Sequence, residues 1–312
     1  MKILITGGTG YLGLRLIEYF LSDKKNKIYI TSRRNKKINI TGIENNFILS
    51  NSKNNLPPLK KIDLIIHAAG PNAAEAKKKG KIAISESKCL TKIIIKYALE
   101  NKVSKIIYIS TAHVYKSPLI GVFNEKSKTN NIHPYALCNL VGEKEILKAN
   151  KKNNLNGIIV RLSNAFGRPI AKTNDCWTLL INDITRQLVL TGKICLKGNG
   201  SEKRDFISIE NTCRALEHIS KLKTKRKIFN VGGNWTPTTY EISKIVSSRY
   251  KKITGLDSEI LINKKNRTQI SNDVDHLKYQ IDNLLNSGFV LKNRTNIKEI
   301  DELIKFCIKN SL

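Results

Sequence analysis

Three glycines near the start of the chain, Gly7, Gly10 and Gly13 in "ITGGTGYLG", stand between a β-branched apolar run and a helical pattern. Glycines in such a turn let the backbone approach a pyrophosphate, and the helix that follows offers N–H groups and a partial positive charge to it. That is phosphate-cradling chemistry, with Tyr11 and Leu12 completing the turn. A dinucleotide held in this way needs a group for its adenosine ribose just after the second strand. In "IYITSRRNKK" no carboxylate stands there to bind the ribose of NAD; Ser32, Arg33 and Arg34 occupy the positions. Arginine forks neutralise phosphate oxygens, so Arg33 and Arg34 favour NADP over NAD. Further along, the run "FILSNS" offers Asn51 and no acid.

The elements that must carry such a site follow from the pattern of apolar runs. Strands are expected at 2–7, 27–32, 63–69, 105–111 and 157–163, with helices near 11–22, 85–101 and 135–150. Strands alternating with helices imply βαβ crossovers and a parallel sheet, and the nearly continuous apolar strands suit a sheet covered on both faces. Beyond Phe166 the rhythm changes. A helix is expected over 176–190, a short strand at "ICLKGNG", a strand end and helix over 206–220, a strand at "IFNVGG" and a capped helix over 236–250. The fold expected is therefore α/β, with residues 1–165 as one domain and 166–312 as a smaller cap. Segments at about 203–233 are expected to return to the first domain.

The motifs occur in a telling order: "TGGTGYLG" (6–13), "HAAG" (67–70), "STAHVY" (110–115), "HPYALCN" (133–139), "RLSNAFG" (161–167), "KRDFIS" (203–208) and "FNVGG" (229–233). Together they resemble the short-chain dehydrogenase/reductase superfamily, and within it the extended branch of NAD-dependent nucleotide-sugar epimerases and dehydratases. The resemblance implies a Rossmann-type doubly wound parallel sheet with a C-terminal substrate-binding cap. It puts the dinucleotide on the glycine turn and on Ala68 and Ala69. It implies Tyr135 as acid/base, Thr111 as the hydroxyl that orients the substrate alcohol, and Ser110 beside it. In this branch a lysine follows the tyrosine by four residues; here that residue is Asn139. Tyrosine ionises near ~10, too high for a good base at neutral pH, and the family's lysine corrects this with a nearby charge. Asn139 can donate and accept hydrogen bonds but supplies no charge. A loss of one or two pKa units is worth roughly 1.4 kcal/mol each, which slows proton transfer without abolishing it. His133, Lys144 and Lys116 are the cations within the motif region that could compensate.

The dehydratases of the branch carry Asp-Glu after the threonine, whereas this chain has Ala112 and His113, which favours epimerisation or oxidation/reduction over loss of water. Asn164 and Arg204 match positions that the branch places near the sugar and diphosphate, His113 reads either as a sugar contact or as hydrogen-bonded scaffold, and a nucleotide-diphosphate sugar is the implied substrate. Asp205 reads as a loop anchor, and Cys176 and Trp177 as the opening of the first cap helix. A homodimer is implied by the resemblance alone.

With 55 basic and 25 acidic residues the chain carries a net charge of +30. Its basic runs are short and separated, which marks compositional drift over a nucleic-acid face. The other reading of the charge and of Asn139 is a non-catalytic dinucleotide- or RNA-binding protein on the same fold. No apolar run approaches the roughly 20 residues of a membrane span. The six scattered cysteines form no metal-ligand pattern, so no metal is expected. A start directly on a strand, without a signal-like stretch, suits a cytoplasmic protein.

Overall fold

The computed structural model describes residues 1–32, 45–48, 61–262 and 276–312. Two compact units divide the chain. The first comprises Met1–Lys116, Ser127–Leu162 and Leu216–Asn230, the second Ser117–Lys126, Ser163–Ala215 and Val231–Leu312.

The first unit carries β1 (Lys2–Thr6), α1 (Tyr11–Leu21), β2 (Lys27–Ser32), β3 (Asn45–Ile48) and β4 (Leu64–His67). They are followed by α2 (Ala73–Lys79), α3 (Lys81–Glu100), β5 (Lys105–Thr111), α4 (Pro134–Asn153) and β7 (Gly157–Leu162). The sheet order is β11-β7-β5-β4-β1-β2-β3, where β11 is Ile228–Val231, and the pairings from β3 through β7 are parallel. This is the Rossmann-type doubly wound sheet: the chain runs outward from β1 to β3, then returns to β4 on β1's other side. In such sheets the reversal point between β1 and β4 is where ligands bind, at the carboxyl ends of the strands.

The local reasons are plain. β4 and β7 are buried at every position, as parallel strands covered on both faces must be. Leu4, Ile65 and Ile106 from the sheet meet Ile94, Ala98, Ile146 and Ala149 from α3 and α4 in one cluster. A helix expected at 85–101 begins earlier, at Lys81, because Gly80 at φ 53 breaks the run and leaves α2 as a separate helix. The buried Lys105 ammonium donates to the carbonyls of Ile219 (3.0 Å), Ser220 (2.6 Å) and Leu222 (2.7 Å), a cation set on a helix C-terminus, where the dipole favours it.

The second unit holds β6 (Gly121–Phe123), β8 (Asn164–Phe166), α5 (Leu180–Thr191), β9 (Lys193–Leu196) and β10 (Phe206–Ser208). Helix α6 (Ile209–Lys221) carries the chain from this unit into the first, and α7 (Thr239–Thr254), β12 (Glu259–Ile262), β13 (Leu277–Tyr279), α8 (Asp282–Leu285) and α9 (Arg294–Asn310) complete it. Its core gathers Phe166, Ile181, Phe206, Ile242, Leu303 and Ile304 among others. The helix expected from 176 starts only at Leu180. Cys176 and Trp177 lie in the turns before it, where Leu179 N–H donates to the Cys176 carbonyl at 3.2 Å. Helix α7 has the capping box its sequence foretells, with Thr238 and Glu241 satisfying each other's backbone N–H groups.

Candidate active site

At the end of β1 the glycines are required by shape. Gly7 has φ +71, and a Cβ there would stand 2.9 Å from the Ala68 carbonyl oxygen. A Cβ on Gly13 would lie 2.3 Å from the Gly7 oxygen, so the first turn of α1 can sit on the loop only without a side chain. Gly10 caps that helix with no side-chain bond, and no acidic residue stands in its first turn. The result is a cradle with backbone walls, open to an anion at a helix N-terminus, and it fits a dinucleotide pyrophosphate. Tyr11, Leu12 and Gly13 begin α1, and Ala68 and Ala69 face Gly7 from the end of β4. Arg33, Arg34 and Asn51 lie outside the described residues.

The wall at Ala68 is braced by His67, which is 1% exposed. The Thr91 hydroxyl donates to the Ser87 carbonyl (2.9 Å), so it can only accept from His67 Nε2–H (3.3 Å). Nδ1 is then the acceptor for the Thr6 hydroxyl at 2.7 Å, while the Thr6 oxygen accepts from Ala69 N–H at 3.3 Å. Burial pushes this neutral imidazole down to about 4. A base whose folded value lies below its unfolded one contributes stability above the unfolded pKa and loses it as the pH falls. Between pH 6.5 and about 4 His67 should therefore cost up to about 1.4 kcal/mol of stability per pH unit. Asp205, raised by burial to about 6, acts in the opposite sense, so the measurement is a difference. Urea unfolding of His67→Gln against the parent should show the acid-side loss flattened in the variant.

At the end of β5, Thr111 is buried, and its oxygen accepts the His113 backbone N–H at 3.2 Å. Tyr135 stands at the start of α4. Pro134 occupies the first helical turn, and His133 caps the helix, its Nδ1 accepting the Tyr135 N–H at 3.2 Å. The Tyr135 ring packs half-buried against Ala76, Ala83 and Cys138. Burial pushes its phenol above the ordinary tyrosine value, and hydrogen bonding from Thr111, then from Asn139, draws it part of the way back. The short bond of Asn139 goes elsewhere: its amide donates to the Tyr135 backbone carbonyl at 2.8 Å. Lys116 and Lys144 are exposed to solvent.

Thr111, Tyr135 and Asn139 are thus brought together. Ser110 is not with them. Its hydroxyl donates to Glu143 Oε1 at 2.5 Å, as the alternation of a strand requires. Glu143 also takes both arms of Arg161, Nε to Oε1 at 3.0 Å and Nη2 to Oε2 at 2.6 Å. This buried pair was absent from the sequence expectations, although an arginine inside a wholly apolar strand signals that a carboxylate must meet it. The His113 carbonyl accepts from the Asn131 amide at 2.6 Å.

In the second unit, Asn164 uses both its backbone N–H (3.2 Å) and its side-chain amide (2.9 Å) on the Asp205 carbonyl. Asp205 is the loop anchor it was expected to be: its carboxylate accepts from Gly233 N–H at 2.9 Å and Trp235 N–H at 3.3 Å. Arg204 is half-buried, and its guanidinium pairs with Glu202 at 2.9 Å.

A model of the NAD dependent epimerase/dehydratase family matches residues 3–232. The chain belongs to that family. Among curated relatives, the dTDP-D-glucose 4,6-dehydratase of Dictyostelium discoideum is 27% identical over 269 residues, covering 78% of this chain but only 61% of the relative. A solved UDP-N-acetylglucosamine 4-epimerase from Methanobrevibacter ruminantium M1, in complex with UDP-N-acetylmuramic acid, aligns with a TM-score of 0.81 at 19% identity, covering 99% of this chain and 98% of that one. MoeE5, solved with UDP-glucuronic acid and NAD, aligns at 0.78 and 18% over the whole of both chains. No helix among the described residues is long and apolar enough to cross a membrane.

Proposed function

We propose that the protein is an NAD(P)-dependent nucleotide-sugar epimerase or dehydrogenase/reductase. Tyr135 is its acid/base, and Thr111 orients the reacting sugar hydroxyl. What supports this is that Thr111 lies near enough to the Tyr135 phenol to draw it back towards the ordinary tyrosine value, in the unit that also carries the Gly7–Gly13 cradle. Gly7, Gly10, Tyr11, Leu12 and Gly13 hold the pyrophosphate, and Ala68 and Ala69 line the loop opposite. The nicotinamide, when bound, supplies the hydride acceptor. Thr111 holds the sugar oxygen in line, and Tyr135 takes its proton or returns it. Asn139 steadies the helix at Tyr135 but gives the phenol no charge. Asn164 and Arg204 take the sugar and the diphosphate, for which the planar fork of arginine is suited. His113 contacts the sugar. Neither Ala112 nor His113 is a carboxylate, which favours epimerisation or redox chemistry over water elimination.

Mass identification of any dinucleotide released from the purified protein, with its absorbance in the reduced-nicotinamide band, tests the proposal. Bound cofactor together with turnover of UDP-glucose or UDP-N-acetylglucosamine supports it. Failure to bind NAD(H) or NADP(H) at millimolar concentration defeats it, and selective RNA binding at physiological salt would then favour a non-catalytic protein.

The cofactor preference is a separate expectation. Arg33 and Arg34 supply charge for a 2′-phosphate, so NADP should bind more tightly than NAD. Arg33→Ser with Arg34→Ser should weaken NADP roughly tenfold or more and leave NAD unchanged, since a charged hydrogen bond contributes about 1.5–3 kcal/mol. Isothermal titration with both dinucleotides reads this directly.

A further inference from the structure

Thr111 and Tyr135 stand on different elements, β5 and α4. A phenol and a hydroxyl share one proton path only while those elements hold their relative position to a few tenths of an ångström. A single buried carboxylate ties them. Glu143 is 3% exposed and lies eight residues along α4 from Tyr135, on the same helical face about 12 Å away. It accepts from Ser110, the neighbour of Thr111 on β5, at 2.5 Å, and from both arms of Arg161 on β7 at 3.0 and 2.6 Å. Arg161 is fixed in turn. Its guanidinium lies 4.8 Å from the centre of the Tyr115 ring, whose hydroxyl donates to Asn230 Oδ1 at 2.6 Å. Ser110, Arg161, Tyr115 and Asn230 are all buried.

Two further features show how tightly α4 is seated here. A Cβ on Gly142 would stand 2.1 Å from the Tyr108 phenol oxygen, so the helix reaches β5 only because that residue has no side chain. The same Tyr108 hydroxyl donates to the Asn139 carbonyl at 3.3 Å.

We propose that Glu143 is the positioning residue of the site: by engaging Ser110 and Arg161 together it clamps α4 to β5 and β7 and so holds Tyr135 against Thr111. The proposal rests on Tyr135 and Thr111 being the reacting pair. Buried ion pairs add little net stability compared with apolar replacements of similar volume, so what this one contributes is geometry. The clamp is also the part of the site that Asn139 leaves intact.

The test is a coupling measurement that needs no substrate. A difluorotyrosine placed at position 135 brings the phenol's titration towards neutrality, where fluorine NMR follows it. In the native background Thr111→Val should raise that titration by about 0.5–1 pH unit, because a hydrogen bond to the phenolate is lost. Glu143→Leu combined with Arg161→Met removes the clamp without leaving an unpaired buried charge. In that background the same Thr111→Val step should shrink to less than about a third of its native size. Ser110→Ala, a milder change, should give an intermediate value, and Ser110→Thr should restore the native one. Should the paired variant not fold, Ser110→Ala and Ser110→Thr carry the same comparison. The groups packed around the phenol, Cys138 and Tyr108, are unchanged throughout, so they cannot mimic the result. An undiminished Thr111→Val shift without the clamp overturns the proposal and makes the ion pair ordinary core structure. A native background in which Thr111→Val has no effect overturns the pairing of Thr111 with Tyr135 itself, and the proposal with it.

Discussion

Tyr135→Phe should lower kcat by about a thousandfold, within the range of two to four orders of magnitude that a positioned acid or base contributes. The substitution removes one oxygen and leaves the ring, whose packing against Ala76, Ala83 and Cys138 persists. Thermal stability should therefore change by less than about 1 kcal/mol, and dinucleotide affinity should be unaltered. Turnover of a UDP-sugar that the parent accepts, measured beside the melting temperature and cofactor binding, separates lost chemistry from lost folding. The pH profile gives a second signature. Because burial holds the phenol above its ordinary value, the reactive phenolate is scarce at neutrality. The rate of sugar oxidation in the parent should then climb roughly tenfold per pH unit above pH 7, a rise that Tyr135→Phe abolishes. A loss of less than tenfold would remove Tyr135 from its role.

What the sequence made legible and what it did not have separable causes. The runs Lys2–Thr6, Lys105–Thr111 and Gly157–Leu162 are apolar because both faces of the sheet are covered, and that signal is local. The glycine turn was legible for the same reason: Gly7 needs a positive φ, and Gly13 has no room for a side chain. Three-residue strands such as Asn164–Phe166 and Gly121–Phe123 are too short to show a period, so they were not foreseen. Helix α9 is another matter. Its Ile300, Leu303, Ile304 and Cys307 are a clear helical stripe, but one lying beyond the last landmark motif. The placing of Ser110 depended on a partner that no spacing supplies. Glu143 is 33 residues away in sequence, and only the crossover of α4 brings its carboxylate to β5. Asp205 was legible as an anchor, while Arg204 beside it meets Glu202 on the surface.

Asn139→Lys should raise kcat tenfold to a hundredfold and move the alkaline rise of the rate down by one to two pH units. A cation within reach of a phenol favours phenolate, and each unit of that shift is about 1.4 kcal/mol. What the present residue's amide offers the phenol is a hydrogen bond without charge, and its short bond, at 2.8 Å, goes to the Tyr135 carbonyl, an oxygen within the helix. Losing that bond costs little, since a helical carbonyl keeps its backbone partner. Near the N-terminal half of α4 the helix dipole opposes a new cation, but by only about 0.3–1 kcal/mol, less than the gain expected at the phenol. Asn139→Gln is the control: it lengthens the amide without adding charge and should leave the rate where it is. If lysine speeds the reaction and glutamine does not, the native protein works with a deficit of charge. If lysine leaves the rate unchanged or lowers it, some other cation already does that work. Lys116 and Lys144, exposed in the structure, are then the first to substitute.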